Sequence, residues 1–132
     1  MAEGQFIHVT PVLAVPNLDE AVTFFRDLLG FTVHIQDGGY AYVHRETVGV
    51  RLMDPSITES VAPGNGRFGV YIDVKDVDAV AAELLPKLHA AGVRTHGPAD
   101  KPYGQRELCV AAPDGDLVVF GQAIAGGSSD DT

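Results

Sequence analysis

VPNLDEAVTFFRDLLGF, residues 15–31, is the stretch on which the fold reading turns. Asn17 stands where a helix N-cap belongs, and Glu20 follows at the capping-box spacing. Leu18, Ala21, Val22, Phe25, Leu28 and Leu29 recur at i, i+3, i+4 and i+7, which gives the predicted helix one apolar stripe. Gly30 then offers the left-handed position at which helices stop. The pattern returns about 59 residues later, where Val74-Lys75-Asp76-Val77-Asp78-Ala79-Val80 repeats the cap and first turn. Val77, Val80, Ala81, Leu84, Leu88 and Ala91 form the second stripe, and Gly92 the second stop. A chain that twice writes strand, capped helix, glycine and further strands reads as two βαβββ modules. The expected fold class is α+β, the modules forming a curved mixed sheet with helices on its outer face.

Working outward, residues 6–15 read as a strand with Ile7, Val9, Leu13 and Val15 toward a core. His8, Thr10, Val12 and Ala14 face the other way. Pro11 lacks an N–H, which marks an edge or end strand. Residues 31–36, 40–45 and 48–53 alternate as three more strands, with Phe31, Val33, Ile35, Ala41, Val43, Val48, Val50 and Leu52 inward. Residues 54–66 are the long polar linker. The modules are therefore placed at 1–60 and 61–124 of one structural domain, followed by a disordered Gly/Ser/Asp tail at 125–132. In the second module 67–74 reads as a strand, 93–95 as a short strand and 96–104 as a loop. Pro86 predicts a kink in the second helix, or two pieces meeting near Leu85. A closing hairpin puts Leu108, Val110, Val118 and Phe120 on its core side, about the turn Pro113-Asp114-Gly115-Asp116.

The formal charge of −9 over 132 residues argues against a nucleic-acid partner and is compatible with a cationic ligand. No apolar run approaches the roughly 20 residues of a membrane span. No signal peptide is visible at Met1-Ala2-Glu3-Gly4, so a cytoplasmic protein with no membrane partner is expected. Cys109 is the single cysteine, which excludes an intrachain disulfide and a cysteine-based zinc site.

Opposite the aliphatic faces, the alternation collects His8, Thr10, His34, Tyr40, Tyr42, His44, Arg51, Met53, Arg67, Tyr71, Asp73, Glu107 and Cys109. A sheet face meeting bulk water favours lysine, glutamate and threonine. Aromatic, histidine and methionine side chains suit a half-buried concave surface that stacks a ligand. They suit a dimer interface equally well. Tyr103, between Pro102 and Gly104, has little core to join and reads as a ligand contact or lid. Arg106 and Glu107 are expected to pair with each other or with Arg51. Cys109 reads as a small hydrophobe beside Leu108 and Val110. His8, His34 and His44 with Glu107 are an alternative metal set, and histidines in a site make binding sensitive between about pH 5 and 8.

Over residues 9–121 the sequence resembles the vicinal-oxygen-chelate superfamily, which includes glyoxalase I, extradiol dioxygenases, fosfomycin-resistance enzymes and bleomycin-resistance proteins. The segments that carry the likeness are 15–31, 69–78 and 106–115, the last ending in Pro113-Asp114-Gly115. Tyr103-Gly104-Gln105-Arg106-Glu107 is most similar to the bleomycin-resistance branch. The resemblance implies a divalent metal held by histidine and glutamate from four strand positions, which fall here on Thr10, Arg51, Gly69 and Val119. None of these is a good ligand, so neither a conventional metal site nor another cofactor is expected. Metal-free members are homodimers whose curved sheets, drawn from both chains, enclose crevices that hold a drug unmodified. The resemblance thus implies a non-catalytic, homodimeric binder of a small aromatic antibiotic, serving drug resistance or self-resistance. Tyr40, Tyr42, Tyr71 and Tyr103 would be its stacking walls, and Asp73 and Glu107 its partners for cationic arms. With no tryptophan in the chain, a planar antibiotic other than bleomycin is the implied ligand. The alternatives are a metal-dependent lyase, isomerase or dioxygenase using the displaced histidines, and a module that senses a metabolite or antibiotic on behalf of another protein.

Overall fold

In the computed structural model, residues 4–5, 7–56, 69–113 and 115–124 are described. Phe6, Arg67, Phe68, Asp114, most of the expected linker and the tail 125–132 lie outside the described residues. The first module runs β1 (Val12–Ala14), α1 (Leu18–Thr23), a π-helical segment (Phe24–Leu28), β2 (Thr32–Asp37), β3 (Tyr40–Arg45) and β4 (Val48–Met53). The second runs β5 (Gly69–Asp73), α2 (Val77–Ala90), β6 (Thr95–Asp100), β7 (Gln105–Ala111) and β8 (Leu117–Ala123).

The two-module α+β fold expected from the repeat is present, as two four-stranded mixed sheets ordered β1-β4-β3-β2 and β5-β8-β7-β6. In both, the first strand lies parallel to the last, and the remaining pairs are antiparallel. Parallel neighbours cannot be joined by a tight turn, so the helix must lie in the crossover and cover one face of its sheet. Helix α1 packs on β3 and β4, and α2 packs on β6, β7 and β8. Helix α2 also meets the π-helical segment, and one apolar cluster runs through both modules.

Local chemistry sets the helix ends as the sequence predicts. Asn17 Oδ1 accepts from the Glu20 N–H at 2.9 Å, and Asp76 Oδ1 from the Ala79 N–H at 3.1 Å. Gly30 and Gly92 take the left-handed conformation, with φ of 78° and 73°. Between its ends the first helix departs from α geometry. The Leu29 N–H donates to the Phe24 carbonyl, five residues back, at 3.2 Å. This wider turn buries both Phe24 and Phe25, where a strict 3.6-residue stripe selects Phe25 alone. The Phe25 ring then meets Phe24 and Phe31 edge-on, at 5.5 and 5.3 Å.

Four sequence expectations are corrected. Ile7 and Val9 are 88% and 91% exposed instead of in the core, because β1 starts only after Pro11. Ile35 is exposed because the β2–β3 register shifts between Val33 and Ile35 and sets Ile35 beside Tyr42. Of the two outcomes expected at Pro86, the split into two pieces does not occur: helix α2 runs uninterrupted through it, with Pro86 exposed and Leu84 and Leu88 fully buried. Residues 95–100 form β6 and not a loop. This strand accommodates Gly97-Pro98 by a register shift between His96 and Ala99, and Gly97 has φ 96° where a side chain would collide with the Glu107 carbonyl.

Arg45 ties the modules together. From β3 its Nη1 donates to the Leu29 carbonyl at 2.9 Å, and its Nη2 to Glu83 Oε1 of α2 at 2.7 Å. The hydrogen bond from Arg45 holds the Glu83 carboxyl below its ordinary range, so the pair stabilises above the unfolded carboxyl pKa and loses that contribution as pH falls through the folded one. No helix among the described residues is long and apolar enough to cross a membrane. In urea denaturation, Asn17→Ala should cost about 1 kcal/mol, with Asn17→Ser close to wild type. Arg45→Met should cost about 1–2 kcal/mol near neutral pH through the lost charge-assisted bonds. The gap between Arg45→Met and wild type should narrow below about pH 4, as Glu83 takes its proton in both proteins.

Candidate ligand-binding faces

Each sheet has one face under its helix and one face free of it. On β3 the alternation sends Ala41 and Val43 into the core, both fully buried, and turns Tyr40, Tyr42 and His44 outward. The β3–β4 register sets Tyr42 beside Arg51 and Tyr40 beside Met53. The β2 bulge delivers His34 to the same group, its ring 5.9 Å from Tyr42 and 6.0 Å from His44. Tyr42 and His44 stack at 6.3 Å with 27° between their planes. The Arg51 guanidinium lies 5.2 Å from the Tyr42 ring centre, and its Nη1 donates to Tyr40 Oη at 2.5 Å. A side chain at Gly49 would collide with the Tyr42 hydroxyl, so glycine is what allows this ring to lie across β4.

The second sheet repeats the device with different chemistry. Tyr71 lies across β8 at Gly121, where any side chain would again strike the phenol. Its hydroxyl donates to Gln105 Oε1 at 3.0 Å. Tyr103 Oη donates to Glu107 Oε1 at 2.9 Å, and Glu107 is only 5% exposed. Withdrawal from solvent pushes the Tyr71 phenol far up, and the Glu107 and Asp73 carboxylates push it further. The hydrogen bond to Glu107 raises the Tyr103 phenol. Burial, then the charge of Glu107, raises the Cys109 thiol, which stays protonated at neutral pH and is a poor nucleophile. Val119, register partner of both Tyr71 and Cys109, is buried but stands apart from the main core cluster. Asp73 also borders a cleft of about 370 Å³ between the modules, with Arg45, Val48 and Lys75.

The expected site residues therefore form two groups on two sheets. His34, Tyr40, Tyr42, His44, Arg51 and Met53 belong to the first, and Tyr71, Asp73, Tyr103, Glu107 and Cys109 to the second. Thr10 is half-buried and His8 exposed, both in the extended segment ahead of β1. Arg106 pairs with neither Glu107 nor Arg51. It joins Asp78 of α2 at 3.1 Å and Asp100 of β6 at 2.9 Å, where two carboxylates already surround it. Gln105, Gly49 and Gly121 escaped the sequence reading, although a glycine inside a strand is itself a signal of close approach. The four positions that would hold a divalent metal supply a hydroxyl, a guanidinium, a bare backbone and an isopropyl group, which do not fit the ion. Among the described residues no three histidine, cysteine, aspartate or glutamate side chains converge on a metal-sized site. In particular, Glu107 stands on a different sheet from His34 and His44.

A family model described as the Glyoxalase/Bleomycin resistance protein/Dioxygenase superfamily matches residues 5–120. Among curated proteins, no sequence relative matches. Among solved structures, the bleomycin-binding protein of Streptomyces verticillus, complexed with copper(II)-bleomycin, is 24% identical, with a TM-score of 0.73 over 93% of this chain and 100% of that one. An antibiotic binding protein from Streptomyces sp. CB03234, TnmS3, is 23% identical, with a TM-score of 0.68 over 92% and 100%. A lactoylglutathione lyase from Agrobacterium tumefaciens is 20% identical, with a TM-score of 0.70 over 91% and 96%. At these identities the likeness is one of fold, and it spans both binders and an enzyme.

The second face is open to a spectroscopic check. Ultraviolet titration should show Tyr71 and Tyr103 ionising above the ordinary tyrosine range. Glu107→Gln should bring Tyr103 down toward that range while Tyr71, held up first by burial, stays raised. Tyr103→Phe identifies which transition is which, and an unchanged Tyr103 in the glutamine variant would contradict the assignment.

Proposed function

We propose that this chain, which belongs to the Glyoxalase/Bleomycin resistance protein/Dioxygenase superfamily, sequesters a small planar aromatic antibiotic without transforming it, as a homodimer in the cytoplasm. The observation that carries this reading is the ring cluster of His34, Tyr42 and His44 under the Arg51 guanidinium, standing on the open side of a sheet. Preassembled rings of this kind offer a planar ligand a stacking surface at little entropic cost. The surrounding groups are ill-suited to chemistry: the thiol is protonated, and the metal positions carry no metal ligands. Two proteins of the same fold are antibiotic binders, one of them holding copper(II)-bleomycin, which supports the ligand class.

The placement of the two faces supports the dimer in this reading. In one chain they lie on different sheets. A twofold axis that sets the first face of one copy against the second face of the other creates two equivalent crevices at once. The drug is then held between tyrosines of both copies, and protection scales with the number of crevices.

Calorimetry against bleomycin and against an anthraquinone antibiotic, in buffer containing a chelator, tests this reading. At least one of them should bind at one molecule per chain and be recovered with unchanged mass. Tyr42→Ala and Tyr103→Ala should each weaken that binding by about tenfold, the loss of one stacked ring at roughly 1–1.5 kcal/mol. Loss of binding on chelation, or turnover on adding a divalent metal, would overturn the proposal.

A further inference from the structure

We infer that the first face recognises an ionised acidic group on the aromatic ligand, with the Arg51 guanidinium as its principal partner. This rests on the binding function proposed above and adds the chemical class of the ligand. The chain holds 18 acidic residues against nine basic ones, so carboxylates are available to any arginine that can use one. Arg26, Arg45 and Arg106 each take one or more, and Arg94, exposed ahead of β6 and away from both faces, takes none among the described residues. Arg51 takes none among the described residues. Its one hydrogen bond goes through Nη1 to the neutral phenol of Tyr40, and its Nε and Nη2 hydrogens have no acceptor there. Contact with the Tyr42 ring and the bond to Tyr40 hold the group in place without neutralising it. A guanidinium fixed in this way is preorganised for a planar oxyanion.

The neighbours reinforce that choice. His34 and His44 flank Tyr42, their rings 5.9 and 6.3 Å from the Tyr42 ring, and neither brings a carboxylate to the spot. Asp37, which shares the face, stands opposite Tyr40 at the end of β2 and forms no ion pair with Arg51. The other face, with Glu107, Asp73 and two phenols, repels an anion. A ligand that stacks on Tyr42 and His44 can therefore place an acidic substituent beside Arg51, whereas on the second face the one cation felt by Cys109, Lys101, stands among Glu107 and Asp73. The overall negative charge of the protein makes this local inversion more selective, since an anion gains only where Arg51 stands.

Three planar probes of one shape decide the point: an anthraquinone carboxylate, its uncharged carboxamide and an aminomethyl anthraquinone. With the full-length protein at low salt, calorimetry should find the carboxylate about tenfold or more tighter than the carboxamide, as expected for one charge-assisted hydrogen bond. In Arg51→Gln the acid and the amide should bind alike, and Arg51→Lys should keep part of the preference. A thermal melt of each variant establishes that it is folded. Equal affinities in the wild type, a preference that survives Arg51→Gln, or tightest binding of the amine would each overturn acid recognition and leave sequestration standing. Binding of none of the three probes would overturn both.

Discussion

Everything in this structure depends on one pairing, made twice: the first strand of a module lies parallel beside its last. Val12, Leu13 and Ala14 run alongside Arg51, Leu52 and Met53, and Gly69 to Asp73 alongside Leu117 to Gly121. Such neighbours need a crossover, and the crossover helix buries one face of each four-stranded sheet while leaving its opposite free. The core then has a single location, between helices and sheets, and the polar, aromatic alternate residues are displaced to the opposite sides. The outward residues of β3 and β4 need no loop to present them. They are the obligatory other half of core strands.

The two modules share more than topology. In both, a tyrosine lies across the last strand at a glycine: Tyr42 over Gly49, Tyr71 over Gly121. Around that common element the chemistry has diverged in sign. One tyrosine is flanked by two histidines and a guanidinium. The other has a buried glutamate and a second phenol beside it; burial, then that carboxylate, raises the Tyr71 phenol, and the hydrogen bond to the carboxylate raises Tyr103. A duplicated scaffold has become two unlike plates.

Features that depend on near neighbours in sequence were legible in it. Asn17 and Asp76 cap their helices, Gly30 and Gly92 end them, and the alternation in 40–45 and 48–53 sorts Tyr42, His44 and Arg51 from Val43, Val50 and Leu52. Register defects were not legible, because a bulge is decided by the partner strand. One extra residue at Val33–Ile35 moved Ile35 out of the core, and the π turn moved Phe24 in. Strand β6 was hidden by its own glycine and proline, whose cost is offset only when β7 lies alongside. Ion pairs between distant segments were equally out of reach. Arg45 finds Glu83 and Arg106 finds Asp78 through the packing of helices on sheets, and no spacing rule encodes either contact. Assembly of the site was the largest omission, for alternation says which residues share a side of a strand and is silent on how many sheets there are.

The strict alternation within β3 and β4 bears on how such a protein can evolve. Ala41, Val43, Val50 and Leu52 are fully buried and hold the fold, while Tyr42, His44 and Arg51 sit between them in sequence and outside the core in space. Exchanges at the second set fall at surface sites, where most cost little stability. The outward surface can thus be reshaped one alternate residue at a time without passing through unfolded intermediates. Stability and specificity are inherited on separate registers of the same strand.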